Sequence, residues 1–154
     1  MSTVLVLGAS RGIGLEFVRQ CRDAGDRVIA TARTSQGLQV LEQLGAQTLQ
    51  LDVADPASIS RLAWALDGEK IDLALYVAGV YSTAGATEPP TQQDFDRLMH
   101  TNVLGAMQVI PQVGPLVEAA RGRFVFITSA MGQIAGAGSS FGWLYRVSKA
   151  ALNM

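Results

Sequence analysis

The sequence predicts an α/β fold built on a doubly wound parallel sheet, and three observations carry that prediction. Short apolar runs alternate with amphipathic stretches along the chain, the pattern of βαβ units. The first apolar run opens directly into a glycine-rich turn, Gly8 to Gly14. Of the 154 residues, 49% are hydrophobic and only 16% charged, which suits a sheet covered on both faces.

The elements follow in order. Val4–Leu7 reads as a buried strand ending at Gly8. A helix is expected from Gly12 to Ala24, with Ile13, Phe17 and Cys21 at four-residue spacing on its packed face and Gly25 as its stop. Arg27–Ala32 contains the second strand, Gln36–Leu44 a helix stopped by Gly45, and Gln47–Leu51 the third strand. Asp55-Pro56 has the form of an N-cap with proline at the first helical position. Ile59, Leu62, Ala63 and Leu66 make that helix's apolar stripe. Ile71–Val77 is the fourth strand, followed by Ala78-Gly79 and a loop containing Pro89-Pro90. Thr91 and Asp94 resemble a capping box. They open a long helical stretch to about Ala120, with a bend expected near Pro111. Arg123–Thr128 is the fifth strand. A Gly/Ser-rich loop, Gly132 to Gly142, precedes a last helix that is expected to have barely begun at Met154. The sheet is expected to be Rossmann-like, in the order 3-2-1-4-5, and residues 1–154 to form a single domain without repeat or linker.

Bulk properties narrow the function. The formal net charge is −1, with no block of like charges, so neither nucleic acid nor an anionic membrane is an expected partner. No run reaches the ~18–20 apolar residues of a membrane helix. Met1-Ser2-Thr3 lacks the basic start of a signal peptide. The single cysteine, Cys21, excludes an internal disulfide and is compatible with a cytoplasmic location.

Three constellations carry chemistry. In Gly8-Ala9-Ser10-Arg11-Gly12-Ile13-Gly14, glycines let the backbone approach a pyrophosphate, and the helix start offers free N–H groups. The spacing Gly-x-x-x-Gly-x-Gly is neither the commoner Gly-x-Gly-x-x-Gly nor a nucleotide-triphosphate loop; a glycine turn without ligand is the alternative. Second, an NAD site carries an acid about 20 residues on, bonding the adenosine ribose. Here the second strand ends Ala30-Thr31-Ala32-Arg33, and Asp26 lies at its wrong end. Arg11 and Arg33 are therefore expected to flank a 2′-phosphate, which selects NADP(H); two solvated surface arginines are the alternative. Third, Tyr145 and Lys149 are spaced to share a helix face. An ammonium near a phenol favours the phenolate, making tyrosine a usable acid/base.

Together these residues resemble the short-chain dehydrogenase/reductase family over essentially the whole chain. Gly8–Gly14 is similar to the family's cofactor loop, Asp52-Val53 to its adenine-contacting pair, and Asn102, Ser129, Tyr145 and Lys149 to its catalytic tetrad. The ending from Tyr145 to Met154 resembles the C-factor-like branch. The resemblance implies interconversion of a small-molecule carbonyl and alcohol by hydride transfer, with Tyr145 as general acid/base and Ser129 bonding the same oxygen. It assigns Lys149 also to the nicotinamide ribose and Asn102 to a water-linked relay behind Lys149, and it implies a homo-oligomer through the long helices. A non-catalytic NADP(H)-binding sensor or interaction module is the alternative from another class.

Three features depart from the family pattern or bear on it. The family's Asn-Asn-Ala-Gly stands here as Tyr76-Val77-Ala78-Gly79, so Ala78 and Gly79 are expected to keep their cofactor contacts while the asparagine side-chain contacts are lost. The separation of Ser129 from Tyr145 is a few residues longer than in most members; Ser139 and Ser140 lie too close to Tyr145 to replace Ser129. Two further strands and a segment closing over substrate are expected beyond Met154, and residues 1–154 alone are expected to be inactive. Among other conspicuous residues, Cys21 reads as a packed thiol, His100 as structural or surface, and Trp64 as packed. Trp143 is a candidate for lining the site.

Overall fold

A computed structural model describes residues 1–154. Five parallel strands form one sheet in the order β3-β2-β1-β4-β5: β1 Thr3–Leu7, β2 Arg27–Ala32, β3 Gln47–Gln50, β4 Leu73–Tyr76 and β5 Arg123–Phe126. The predicted architecture and strand order are therefore those observed. The register sets Val4 beside both Val28 and Leu73. Because side chains alternate across a strand, β1 feeds two cores. Leu5 and Leu7 join Ile29, Ile59, Leu66, Val109 and Val113 on one face. Val4 and Val6 join Val18, Val28, Ala30 and Leu41 on the other.

The first face is covered by α3 (Pro56–Ser60), α4 (Leu62–Ala65) and α6 (Gly105–Ala119), the second by α1 (Gly12–Asp23) and α2 (Ser35–Gln43). Caps fix several helix starts. The Asp55 carboxylate accepts from Ala57 N–H ahead of Pro56, and the Thr91 hydroxyl accepts from Asp94 N–H at the head of α5 (Gln92–Met99).

The helices differ from the sequence reading in four places. On α1 the buried positions are Gly14 and Val18, whereas Ile13 is 58% exposed. A Cβ on Gly14 would stand 2.3 Å from the Gly8 carbonyl oxygen, so close backbone approach sets the rotation of α1. The helix after Asp55 breaks at Arg61, which caps both pieces. Ile59, Leu62 and Leu66 pack, while Ala63 is turned outward and Trp64 is 86% exposed. The long helical stretch continues through Pro111 and Pro115, both on its exposed side, and is interrupted instead by a π-helical turn at His100–Leu104. Finally, α7 already runs for 11 residues, Trp143–Asn153, rather than having just begun.

The end of the sheet where the strands start is tied by side chains. Ser2 N–H donates to Asp26, Thr3 N–H donates to Asp72, and Arg27 pairs with Glu69 while also donating to Gln47. No helix is long and apolar enough to cross a membrane.

Candidate active site

The opposite end of the sheet holds a cleft of about 320 Å³, where ligands of open α/β sheets bind. Gly8 forms its floor with φ +87°, and a Cβ there would meet the Ala78 Cα at 2.6 Å. The β1 and β4 turns are thus in direct backbone contact; Ala78 N–H also donates to the Leu7 carbonyl across 2.9 Å. Arg11 stands at the N-cap of α1 without a side-chain capping bond, so the first N–H groups of the helix remain available to an anion. Arg11 and Arg33 both line the cleft with Ser10, Gly12, Ile13 and Gly79, and no carboxylate does.

A second hollow, about 400 Å³, adjoins the first through Arg11, Ile13, Val77, Gly79 and Val80. Tyr145 and Lys149 enter it from α7. The Lys149 ammonium is 5.8 Å from the Tyr145 ring centroid and donates to the Ile127 carbonyl across 3.0 Å. Burial lowers its pKa below the usual lysine value, because a charge is disfavoured away from water. Behind it lies Asn102, fully buried. Its carbonyl accepts from Val80 N–H at 2.8 Å, and its amide donates to the Val80 carbonyl and the Ser148 hydroxyl, both at 2.9 Å. A Cβ on Gly79 would stand 3.4 Å from Asn102 Oδ1 and 3.6 Å from Lys149 Nζ, so these groups converge on one point.

Other predicted residues sit differently. Val53, Ala78 and Gly79 line the cleft, but Asp52 and Gly14 do not. The Asp52 carboxylate instead accepts from Ala54 N–H in its own turn, and Gly14 is spent on packing against Gly8. Ser129 is outside the lining of the second hollow; its hydroxyl oxygen accepts from Met131 N–H at 3.1 Å, which leaves its proton to donate elsewhere. Trp143 lines neither hollow. Burial raises the Cys21 thiol pKa, as befits a packed side chain.

Several contributors were missed by the sequence reading. Tyr81 meets the Tyr145 ring edge to face, with centroids 4.7 Å apart, and Arg97 lines the same hollow from α5. A loop aromatic and a surface-patterned arginine carry no periodic signal, so only the chain path reveals them. Tyr76, where the family has asparagine, is fully buried and donates its hydroxyl to the Thr101 carbonyl at 3.0 Å.

Comparison with known proteins agrees with this geometry. The family profile described as short chain dehydrogenase matches residues 2–154, and the chain belongs to that family. It is 33% identical to mouse (Mus musculus) retinol dehydrogenase 5 over 145 residues, 90% of this chain and 46% of that protein. It is 34% identical to the 1-hydroxy-2-glutathionyl-2-methyl-3-butene dehydrogenase of Rhodococcus sp. (strain AD45), covering all of this chain and 68% of that one. A short-chain dehydrogenase/reductase structure from Burkholderia multivorans with bound NADP superposes with a TM-score of 0.90 at 34% identity, covering 99% of this chain and 69% of the other. The chain spans about half the length of the retinol dehydrogenase it matches.

Proposed function

We propose that residues 1–154 are the cofactor-binding unit of an NADP(H)-dependent oxidoreductase that interconverts a carbonyl and an alcohol. The observation carrying this reading is the buried Lys149 ammonium, which shares one hollow with Tyr145 and lies beside the glycine-floored cleft. The residues present suit the cofactor. The cleft has a side-chain-free floor at Gly8, uncapped N–H groups at Gly12 and Ile13, and two arginines without a carboxylate. Phosphates are recognised by that donor set.

Arg11 and Arg33 would hold the 2′-phosphate, Ser10 and the α1 start the pyrophosphate, and Val53 would pack on the adenine, with Asp52 fixing its turn. Ala78 and Gly79 give the ribose side room. The bound cofactor supplies the hydride. Tyr145 transfers its phenolic proton to the carbonyl oxygen as charge develops there. Ser129 donates a hydrogen bond to the same oxygen. Lys149 would bond the nicotinamide ribose, and its ammonium stabilises the phenolate that Tyr145 becomes. Asn102 holds the Val80 loop and the Ser148 turn around Lys149 and supports proton return through water.

Within the family, the Tyr145–Met154 segment supports the C-factor-like branch, while the retinol dehydrogenase similarity argues for including long apolar alcohols in a substrate panel. Leu104, Met107 and Ile110 are exposed along one helical stretch and Val147 on α7, which supports a homo-oligomer through these helices. The test is NADPH consumption by the whole protein across neutral and anionic aldehydes and ketones, and NADP+ reduction with long apolar alcohols. Tight NADPH binding with turnover of none of them would overturn the enzymatic reading in favour of a cofactor sensor.

A further inference from the structure

Tyr76 is a polar side chain that the chemistry above does not use, placed where apolar packing alone would suffice. It ends β4 inside the Leu5–Leu7–Val109 core and is fully buried. Its ring stacks on Phe126 with centroids 5.7 Å apart. Burial raises its phenol well above the usual tyrosine range, so the hydroxyl keeps its proton and acts as a donor.

The acceptor is unusual in its setting. Thr101 lies in the π turn, where the Gly105 N–H reaches back to the His100 carbonyl. A π turn is a rare, less favourable way to continue a helix and needs support from its surroundings. The niche around the hydroxyl is tight: a Cβ on Gly105 would fall 2.8 Å from Tyr76 Oη and 2.4 Å from the Val53 carbonyl. The next residue after Thr101 is Asn102. From its amide, the hydrogen bonds pass to the Ser148 hydroxyl and from that hydroxyl to the Tyr145 carbonyl at 2.8 Å. A polar path therefore runs from β4, through the π turn, to the first turn of α7.

We propose that Tyr76 is a positioning residue for Asn102: its hydroxyl bond to the Thr101 carbonyl fixes the π turn, and the π turn aims the Asn102 amide at Val80 and Ser148. The catalytic part of this claim rests on the oxidoreductase reading; the positioning part does not. Tyr76→Phe would keep the ring stack and remove the hydroxyl that donates to the Thr101 carbonyl. The wide turn would then relax toward an ordinary helix, rotating Asn102 away from its partners.

The experiment compares the whole protein with Tyr76→Phe, Asn102→Ala and the double variant. Amide hydrogen exchange in Tyr76→Phe is expected to quicken about tenfold at residues 100–105 and at Val80, beyond any change in the other core strands, on the scale of one lost buried hydrogen bond. Turnover with NADPH is expected to fall about tenfold in Tyr76→Phe, and the double variant to be no slower than Asn102→Ala, since residues acting through one group are not additive. Unchanged exchange at the π turn overturns the proposal, as do two effects on turnover that simply multiply. A wild-type protein that consumes no NADPH sinks the oxidoreductase reading, while the exchange measurement still decides the positioning.

Discussion

The Asn102 side-chain amide donates to the Ser148 hydroxyl across 2.9 Å, and both residues are fully buried. Two elements separated by 46 positions are joined there by one shared oxygen. Ser148→Ala should leave one of the two Asn102 amide N–H groups without an acceptor in the core, the other still donating to the Val80 carbonyl. The expected loss is ~1–3 kcal/mol of unfolding free energy, read from denaturant midpoints at unchanged slope.

On the proposed reading, the two arginines set the choice of cofactor. Arg33→Ala should weaken NADPH binding by about tenfold to a hundredfold, the scale of one charge-assisted contact, while leaving NADH binding nearly unchanged. Fluorescence titration of both cofactors measures it. Equal affinity of the parent for NADPH and NADH would overturn the assignment.

The role proposed for Tyr145 separates proton transfer from binding. Tyr145→Phe retains a ring to pack against Tyr81 and should bind NADPH normally, but should turn over ~10²–10⁴-fold more slowly, as for a lost general acid. Lys149→Ala should impair both quantities. Ser129→Ala should lower the rate with little effect on the cofactor. A Tyr145→Phe protein with parental turnover identifies a different acid.

Lys149 also links stability to pH. Burial puts its folded-state pKa below the value of 10.5 expected when unfolded. Between those two values the unfolded chain binds the extra proton, so this group's contribution to stability rises with pH across that window. Below the folded value its desolvation cost is constant, and above 10.5 it vanishes. In cofactor-free protein, Lys149→Met should flatten this rise. Parallel stability curves for parent and variant up to that pH would contradict the burial effect.

Self-association is tested at Met107, which is 64% exposed on α6. Met107→Asp should shift the protein toward monomer in light scattering without altering NADPH binding. A parent that is monomeric at tens of micromolar leaves this apolar face without the assigned role.

The sheet was legible because β1, β2 and β4 are short apolar runs, with β1 closed by Gly8 and β4 running into Ala78-Gly79. Helix rotation was less so. Nothing in the spacing of Ile13, Phe17 and Cys21 reveals that Gly14 must lie against Gly8, a constraint of backbone contact rather than hydropathy. The break at Arg61 and the π turn at His100–Leu104 were invisible for a related reason. Both preserve the apolar residues of a continuous helix and change only their phase. In the site, the glycine turn and the Tyr145/Lys149 spacing were readable from local chemistry. The Tyr76 hydroxyl was not, because its partner is a backbone carbonyl 25 positions away, and backbone acceptors leave no trace in residue identity.

The ties between Ser2 and Asp26, Thr3 and Asp72, and Arg27 and Glu69 all lie at the end of the sheet remote from the cleft. These three side-chain ties thus lie where no ligand is handled. An engineer rewriting positions 11 and 33 to exchange one dinucleotide for another works at the opposite end, away from them. Such edits leave the strand-aligning contacts intact, so cofactor identity can be varied as a module independent of the scaffold's assembly.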